Sequence, residues 1–262
     1  MSPPEAIPPD DRGFTLGDGL FETVLAQKGV LVRLAAHLDR LTSGCAALGL
    51  PAPDRTDAER RMRQALAEAG LDGARAAVRL TLTAGSGGRG LDRPVTPRPR
   101  LVATAAPAAA VATPARLVTA AVRRNDQSPA ARLKTLAYLD NVLARAEARR
   151  AGADEAVMLN TRGELACAAA ANLFWIADGA LITPALECGV LAGTTRAQVL
   201  ACAAALGVTI REIRAGPQAL EAAEAVFLTN ALIGVRPAAT LDGRRFAPHP
   251  LVADLARALD AQ

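Results

Sequence analysis

The stretch from Ala105 to Ala115 carries Pro107 and Pro114 and has no apolar period, while on either side of it short period-two runs alternate with helical ones. Proline withholds a backbone donor, and a run without periodicity offers no face to bury, so this stretch reads as a linker. The expected organisation is a small N-terminal domain over 1–104, a linker over 105–115 and a larger domain over 116–262. Mixed strands and helices in both parts predict the α+β class.

Gly19 to Leu25 and Val30 to Arg33 read as a hairpin across a Gln27-Lys28-Gly29 turn, followed by helices over 34–48 and about 57–69 that end at Gly49 and Gly70. Ala76 to Thr83 alternates as a half-buried strand, GSGGRG over 85–90 interrupts it, and Arg100 to Thr104 resumes an extended run. Beyond the linker the pattern predicts strands over 117–122, 155–159, 173–176, 181–182, 208–213 and 225–229, and helices over 136–151, over 195–206 and from about Pro250. The proline-rich start, Met1 to Asp11, reads as loose.

Thirty basic and twenty-six acidic residues give a formal net charge of +4 with no long run of one sign, and only seven residues are aromatic. A basic stripe with stacking aromatics is absent, so a nucleic-acid partner is not expected, whereas a mildly basic surface suits an anionic small molecule. Cys45, Cys167, Cys188 and Cys202 have no metal-type spacing and only His37 and His249 could join them, so no metal is expected. Without a signal-like apolar segment or a long uncharged apolar run, the chain reads as soluble and cytoplasmic, with no membrane partner.

Lys134, in Arg132-Leu133-Lys134-Thr135-Leu136, would by itself read as a solvated residue at a helix start. Gly193-Thr194-Thr195 precede a helix, which brings backbone N–H groups and the positive end of the helix dipole to one place, a natural anion site. GSGGRG lacks the Lys-Ser/Thr ending of a phosphate-binding P-loop and reads as a flexible loop.

Six segments together carry more than any one alone. GDGLFET (17–23), HLDRL (37–41), LKTLAYLDNVLA (133–144), ANLFWI (171–176), LAGTTR (191–196) and LTNALIGVRP (228–237) occur in the order seen in class IV aminotransferases, and the chain resembles that family over roughly residues 11–246. The resemblance implies a fold-type IV enzyme with a small and a larger α/β domain, pyridoxal 5′-phosphate (PLP) in the cleft between them, a small-molecule amino substrate and a homodimer. It implies that Lys134 is the Schiff-base lysine, whose freed amine later moves protons on the substrate carbon. Arg40 resembles the arginine that grips the cofactor phosphate, for which a guanidinium fork is well shaped. Gly193, Thr194 and Thr195 match one phosphate-facing turn, and Asn230 and Ala231 match the second. Phe21 and Glu22 lie on the cleft-lining strand with side chains on opposite faces, Phe21 toward the substrate, and Arg89 in the GSGGRG loop is a candidate for a substrate carboxylate.

Cys167 departs from the pattern. The family places a glutamate five residues before the asparagine of its NLF segment, where it keeps the cofactor's pyridine nitrogen protonated; counting back from Asn172 gives Cys167, and Glu164 is three residues too early. A thiol holds a pyridinium poorly, so the cofactor is expected to be a weaker electron sink, which costs a transaminase most. Elimination of pyruvate from 4-amino-4-deoxychorismate suffers less, because aromatisation to 4-aminobenzoate supplies its own driving force. GSGGRG, the AANLFW segment and NAL in LTNALIGVRP also resemble the aminodeoxychorismate lyase branch, which serves folate biosynthesis. Ala137, where many relatives carry asparagine, points away from it. The alternatives are a transaminase of branched-chain or D-amino acids and a PLP-binding protein with lost or altered catalysis.

Overall fold

Alternating apolar residues build the first sheet. In the computed structural model, which describes residues 6–261, α1 (Arg12–Leu16) is followed by β1 (Gly19–Gln27), β2 (Val30–Leu31), α2 (Leu34–Leu48), α3 (Arg55–Glu68), β3 (Ala76–Thr83) and β4 (Arg100–Pro107). The strands form an antiparallel sheet in the order β2-β1-β3-β4. Leu20 and Val24 of β1 and Val78, Leu80 and Leu82 of β3 share the face that packs on Leu38, Leu41, Met62 and Leu66 of the two helices. Burying each of these larger side chains stabilises the fold by about 1.5–3 kcal/mol. α2 stops at Gly49, whose φ of 64° places it in the left-handed region that closes a helix C-terminus.

Of the start expected to be loose, residues 1–5 lie outside the described residues, and the remainder is ordered. Asp11 caps α1 by accepting hydrogen bonds from Gly13 and Phe14. The aperiodic stretch also begins later than its composition suggests, because β4 continues through Pro107 opposite Ala76. β4 is an edge strand, where a missing proline donor costs no ladder bond.

The second unit comprises β5 (Ala115–Thr119), α4 (Leu139–Arg150), β6 (Glu155–Leu159), β7 (Leu165–Ala168), β8 (Asn172–Ala177), β9 (Ala180–Pro184), α5 (Thr194–Ala205), β10 (Ile210–Ile213), α6 (Gln218–Glu221), β11 (Ala225–Asn230), β12 (Gly234–Leu241), β13 (Arg244–Arg245) and α7 (Pro250–Asp260). Its mixed sheet has nine strands in the order β10-β9-β8-β11-β12-β5-β6-β7, with β13 beside β12. Trp175, Val226 and Leu228 fill one apolar cluster of this unit, and Phe174, Phe227 and Val199 fill another, in which the Phe174 and Phe227 rings stack at 5.0 Å. β7 and β12 escape the sequence reading. β7 is four residues long and buried on both faces, so it has no alternation to detect.

By compactness the chain divides into residues up to Ala109 together with Leu133–Ala137, and Ala110–Arg132 together with Tyr138 onward. The five residues Leu133–Ala137 therefore return to the first unit. The helix expected from Leu136 begins only at Leu139 because Leu136 donates its backbone N–H to Gly19 O at 3.0 Å instead of entering a helical turn.

Candidate active site

Lys134 is not at a helix start. Its backbone carbonyl accepts from Phe21 N at 2.9 Å and Thr135 bridges Leu20, so the segment lies antiparallel beside the first residues of β1. A strand position fixes where a lysine side chain emerges, whereas a solvated helix end would not. The Lys134 Nζ stands 4.1 Å from the centre of the Phe21 ring, and the Arg79 guanidinium carbon stands 3.7 Å from the same ring. Thr81 lies opposite Phe21 in the β1–β3 register and Arg79 opposite Thr23, so Arg79 is the diagonal same-face neighbour of Phe21. The one ring thus attracts two cations, Arg79 from β3 and Lys134 from the segment on the other edge of β1. The sequence reading missed Arg79; its only signal was an arginine in an otherwise apolar alternation.

Glu22 faces the other way, as strand alternation requires, and lies buried under α2. Its carboxylate accepts from Arg40 Nε at 2.8 Å and Nη2 at 2.6 Å, and from His37 Nδ1 at 2.7 Å. An ionised carboxylate only accepts, so Nδ1 is the protonated nitrogen of His37. Burial opposes ionisation of Glu22, but the hydrogen bonds from Arg40 and His37 outweigh it and hold its pKa below the ordinary glutamate value. The Arg40 guanidinium is therefore fixed by a two-point clamp, with its side chain 18% exposed.

In the second unit, Gly193 is the N-cap of α5 and provides no side-chain hydrogen bond to its first turn. The Thr195 hydroxyl in that turn and the Thr229 hydroxyl near the end of β11 are both buried, and neither has a hydrogen-bond partner among the described residues. Buried hydroxyls without partners cost about 1–3 kcal/mol each, so they mark a place suited to an added acceptor. Together with the helix dipole, this corner fits a phosphate ester. Asn230 shapes the neighbouring turn: its Oδ1 accepts from Leu232 N and Ile233 N, both at 2.9 Å, and its Nδ2 donates to Ala170 O at 2.9 Å. Its side chain thereby orders the turn that carries Ala231.

Cys167 lies in β7 opposite Met158, buried in a cluster with Ala120, Ala144, Ala148 and Ala166. Burial raises its thiol pKa, with Arg124 pulling down and Glu155 pushing up. The group is neutral at physiological pH. Glu164 is committed elsewhere, to Arg214, Asn160 and Arg162. Arg89 is exposed in the loop between β3 and β4, where its backbone exchanges hydrogen bonds with Asp92 at 3.2 and 3.0 Å. That loop is anchored rather than loose: Arg12 donates to the carbonyls of Gly90, Leu91 and Asp92 at 2.9–3.2 Å.

The family model for amino-transferase class IV matches residues 19–241, and the chain belongs to that family. It is a PLP-dependent enzyme of fold type IV that takes a small-molecule amino substrate. It is 30% identical over 241 residues to the aminodeoxychorismate lyase of Vibrio harveyi, covering 90% of this chain and 87% of the relative. It is 32% identical over 240 residues, covering 89% and 82%, to a Methanocaldococcus jannaschii protein provisionally named as a branched-chain-amino-acid aminotransferase. The crystal structure of 4-amino-4-deoxychorismate lyase from Pseudomonas aeruginosa superimposes with a TM-score of 0.90 at 32% identity, over 99% of this chain and 96% of that one. Among the described residues, no helix is long and apolar enough to cross a membrane.

Proposed function

We propose that the enzyme is a lyase that cleaves 4-amino-4-deoxychorismate to 4-aminobenzoate and pyruvate. The observation that carries this reading is Cys167, a buried neutral thiol at the position where the family pattern calls for a carboxylate. When bound, the cofactor supplies a ring that withdraws electrons from the substrate's amine-bearing carbon, and a neutral thiol supports that withdrawal less than a carboxylate would. The lyase reaction tolerates the weaker support because breaking the ring–oxygen bond and losing a ring proton creates an aromatic product. Similarity to the Vibrio and Pseudomonas lyases supports the same choice.

In this reading Lys134 would hold the cofactor through its side-chain amine, and that amine, displaced by the substrate's own amine, would take the proton from the substrate's amine-bearing carbon and return a proton to the departing pyruvate unit. Arg79 attracts a substrate carboxylate toward the Phe21 face, a role better supported by position than that of Arg89. The turn of Gly193, Thr194 and Thr195, with Ala231 on the second turn, binds the cofactor phosphate, and the family pattern favours Arg40 as a guanidinium ligand of a phosphate. Transamination of a branched-chain or D-amino acid is the second reading, favoured by the Methanocaldococcus relative.

The test is a parallel assay of the purified holoenzyme. Release of 4-aminobenzoate and pyruvate in equal amounts, with slower amino transfer to 2-oxoglutarate, supports the proposal, and the reverse order of rates overturns it. Cys167→Glu should raise any amino-transfer rate relative to lyase turnover. Borohydride reduction followed by peptide mapping should place the cofactor adduct on Lys134.

A further inference from the structure

Gly193 has φ −69° and ψ 136°, a conformation open to every L-residue, so its lack of a side chain is not a backbone requirement. The reason is space. A Cβ at this position would fall 2.0 Å from Asn172 Oδ1 and 3.3 Å from the Cβ of Arg196. Asn172, the first residue of β8, also donates from Nδ2 to Leu191 O at 2.9 Å, and its side chain is buried. One amide therefore ties the Leu191 carbonyl and occupies the space in which a side chain at position 193 would lie.

The same residue borders the second turn. Asn172 is directly opposite Thr229 in the β8–β11 ladder, and cross-strand partners share a face, so the Asn172 amide and the Thr229 hydroxyl stand side by side just before Asn230 and Ala231. Both buried hydroxyls without partners, Thr195 and Thr229, lie on segments adjoining Asn172.

We infer that Asn172 is a positioning residue for phosphate: it sets the spacing of the turn at 191–195 relative to the end of β11, and so shapes the anion site without itself binding the anion. This rests on the reading of the Gly193 to Thr195 turn as the phosphate site. A role confined to core packing would affect a ligand with and without phosphate alike, whereas a positioning role separates the two.

The experiment titrates apoprotein with PLP and, in parallel, with pyridoxal, which lacks the phosphate, following absorbance at equilibrium; thermal melts report folding. The wild type should bind PLP far more tightly than pyridoxal. Asn172→Ala should weaken PLP by about tenfold or more, the scale of one lost buried hydrogen bond, while pyridoxal affinity changes by less than about twofold. Gly193→Ala, which pushes a Cβ into Asn172 Oδ1, should weaken PLP in the wild-type background and by several-fold less in Asn172→Ala, where the obstruction is gone. Equal weakening of both ligands, no weakening of PLP, or additive effects of the two substitutions would overturn the inference. A wild type that binds PLP no better than pyridoxal would instead overturn the phosphate-site reading, and the inference with it. Should Asn172→Ala fail to fold, Asn172→Ser carries the same comparison.

Discussion

Replacing Glu22 by glutamine isolates the clamp that fixes Arg40. The carboxylate accepts three charge-assisted hydrogen bonds of 2.6–2.8 Å at a site where Glu22 is 1% exposed. Glutamine keeps one acceptor oxygen but turns an NH₂ toward donors, so about two of the three bonds are lost. Each is worth about 1.5–3 kcal/mol, and the partial exposure of Arg40 reduces the sum, which leaves about 3 kcal/mol. In a chain of this size that lowers the melting temperature by about 6–12 °C. The difference depends on pH in a definite direction. The folded-state pKa of Glu22 is depressed, so its contribution is complete above the unfolded-state value and is lost as pH falls through the folded-state value. Melts followed by circular dichroism should therefore show a constant gap between wild type and Glu22→Gln from about pH 6 to 8, closing below about pH 4. A gap under about 2 °C at neutral pH, or one that persists unchanged under acid, would refute the view that an ionised Glu22 organises this face.

Gly19→Ala should displace the Lys134 segment, because the new Cβ would lie 2.3 Å from Leu82 O and 2.8 Å from Leu136 Cδ1; slower borohydride trapping of cofactor on Lys134 is the expected result. Phe227→Ala removes a fully buried ring stacked on Phe174 and should cost about 3–5 kcal/mol in denaturant unfolding. Arg12→Ala releases three carbonyls of the β3–β4 loop at once, so limited proteolysis should cut within residues 86–98 faster than in the wild type.

Local pattern decided the long periodic elements, and the six family segments named the chemistry. β3 spans Ala76–Thr83 and β6 spans Glu155–Leu159 as the alternation and apolar runs indicate, and α2 ends at Gly49 where the sequence marks its cap. These features depend on residues a few positions apart, which a single chain displays directly. The candidates Lys134, the Gly193 to Thr195 turn and Cys167 could be singled out for a related reason: each stands at a fixed offset within a short motif.

What the sequence could not express are relations between strands far apart in the chain. The segment from Leu133 to Ala137 carries a helix-compatible composition, yet hydrogen bonds to Gly19 and Phe21 draw it into the first sheet and delay α4 to Leu139. Arg79 reaches the Phe21 ring only through its diagonal register, and Asn172 meets Gly193 only after β8 has been set in place beside β11. Backbone propensity fixes which pieces form, but register and close approach are settled by packing, which alone brings residues fifty or more positions apart to the same face.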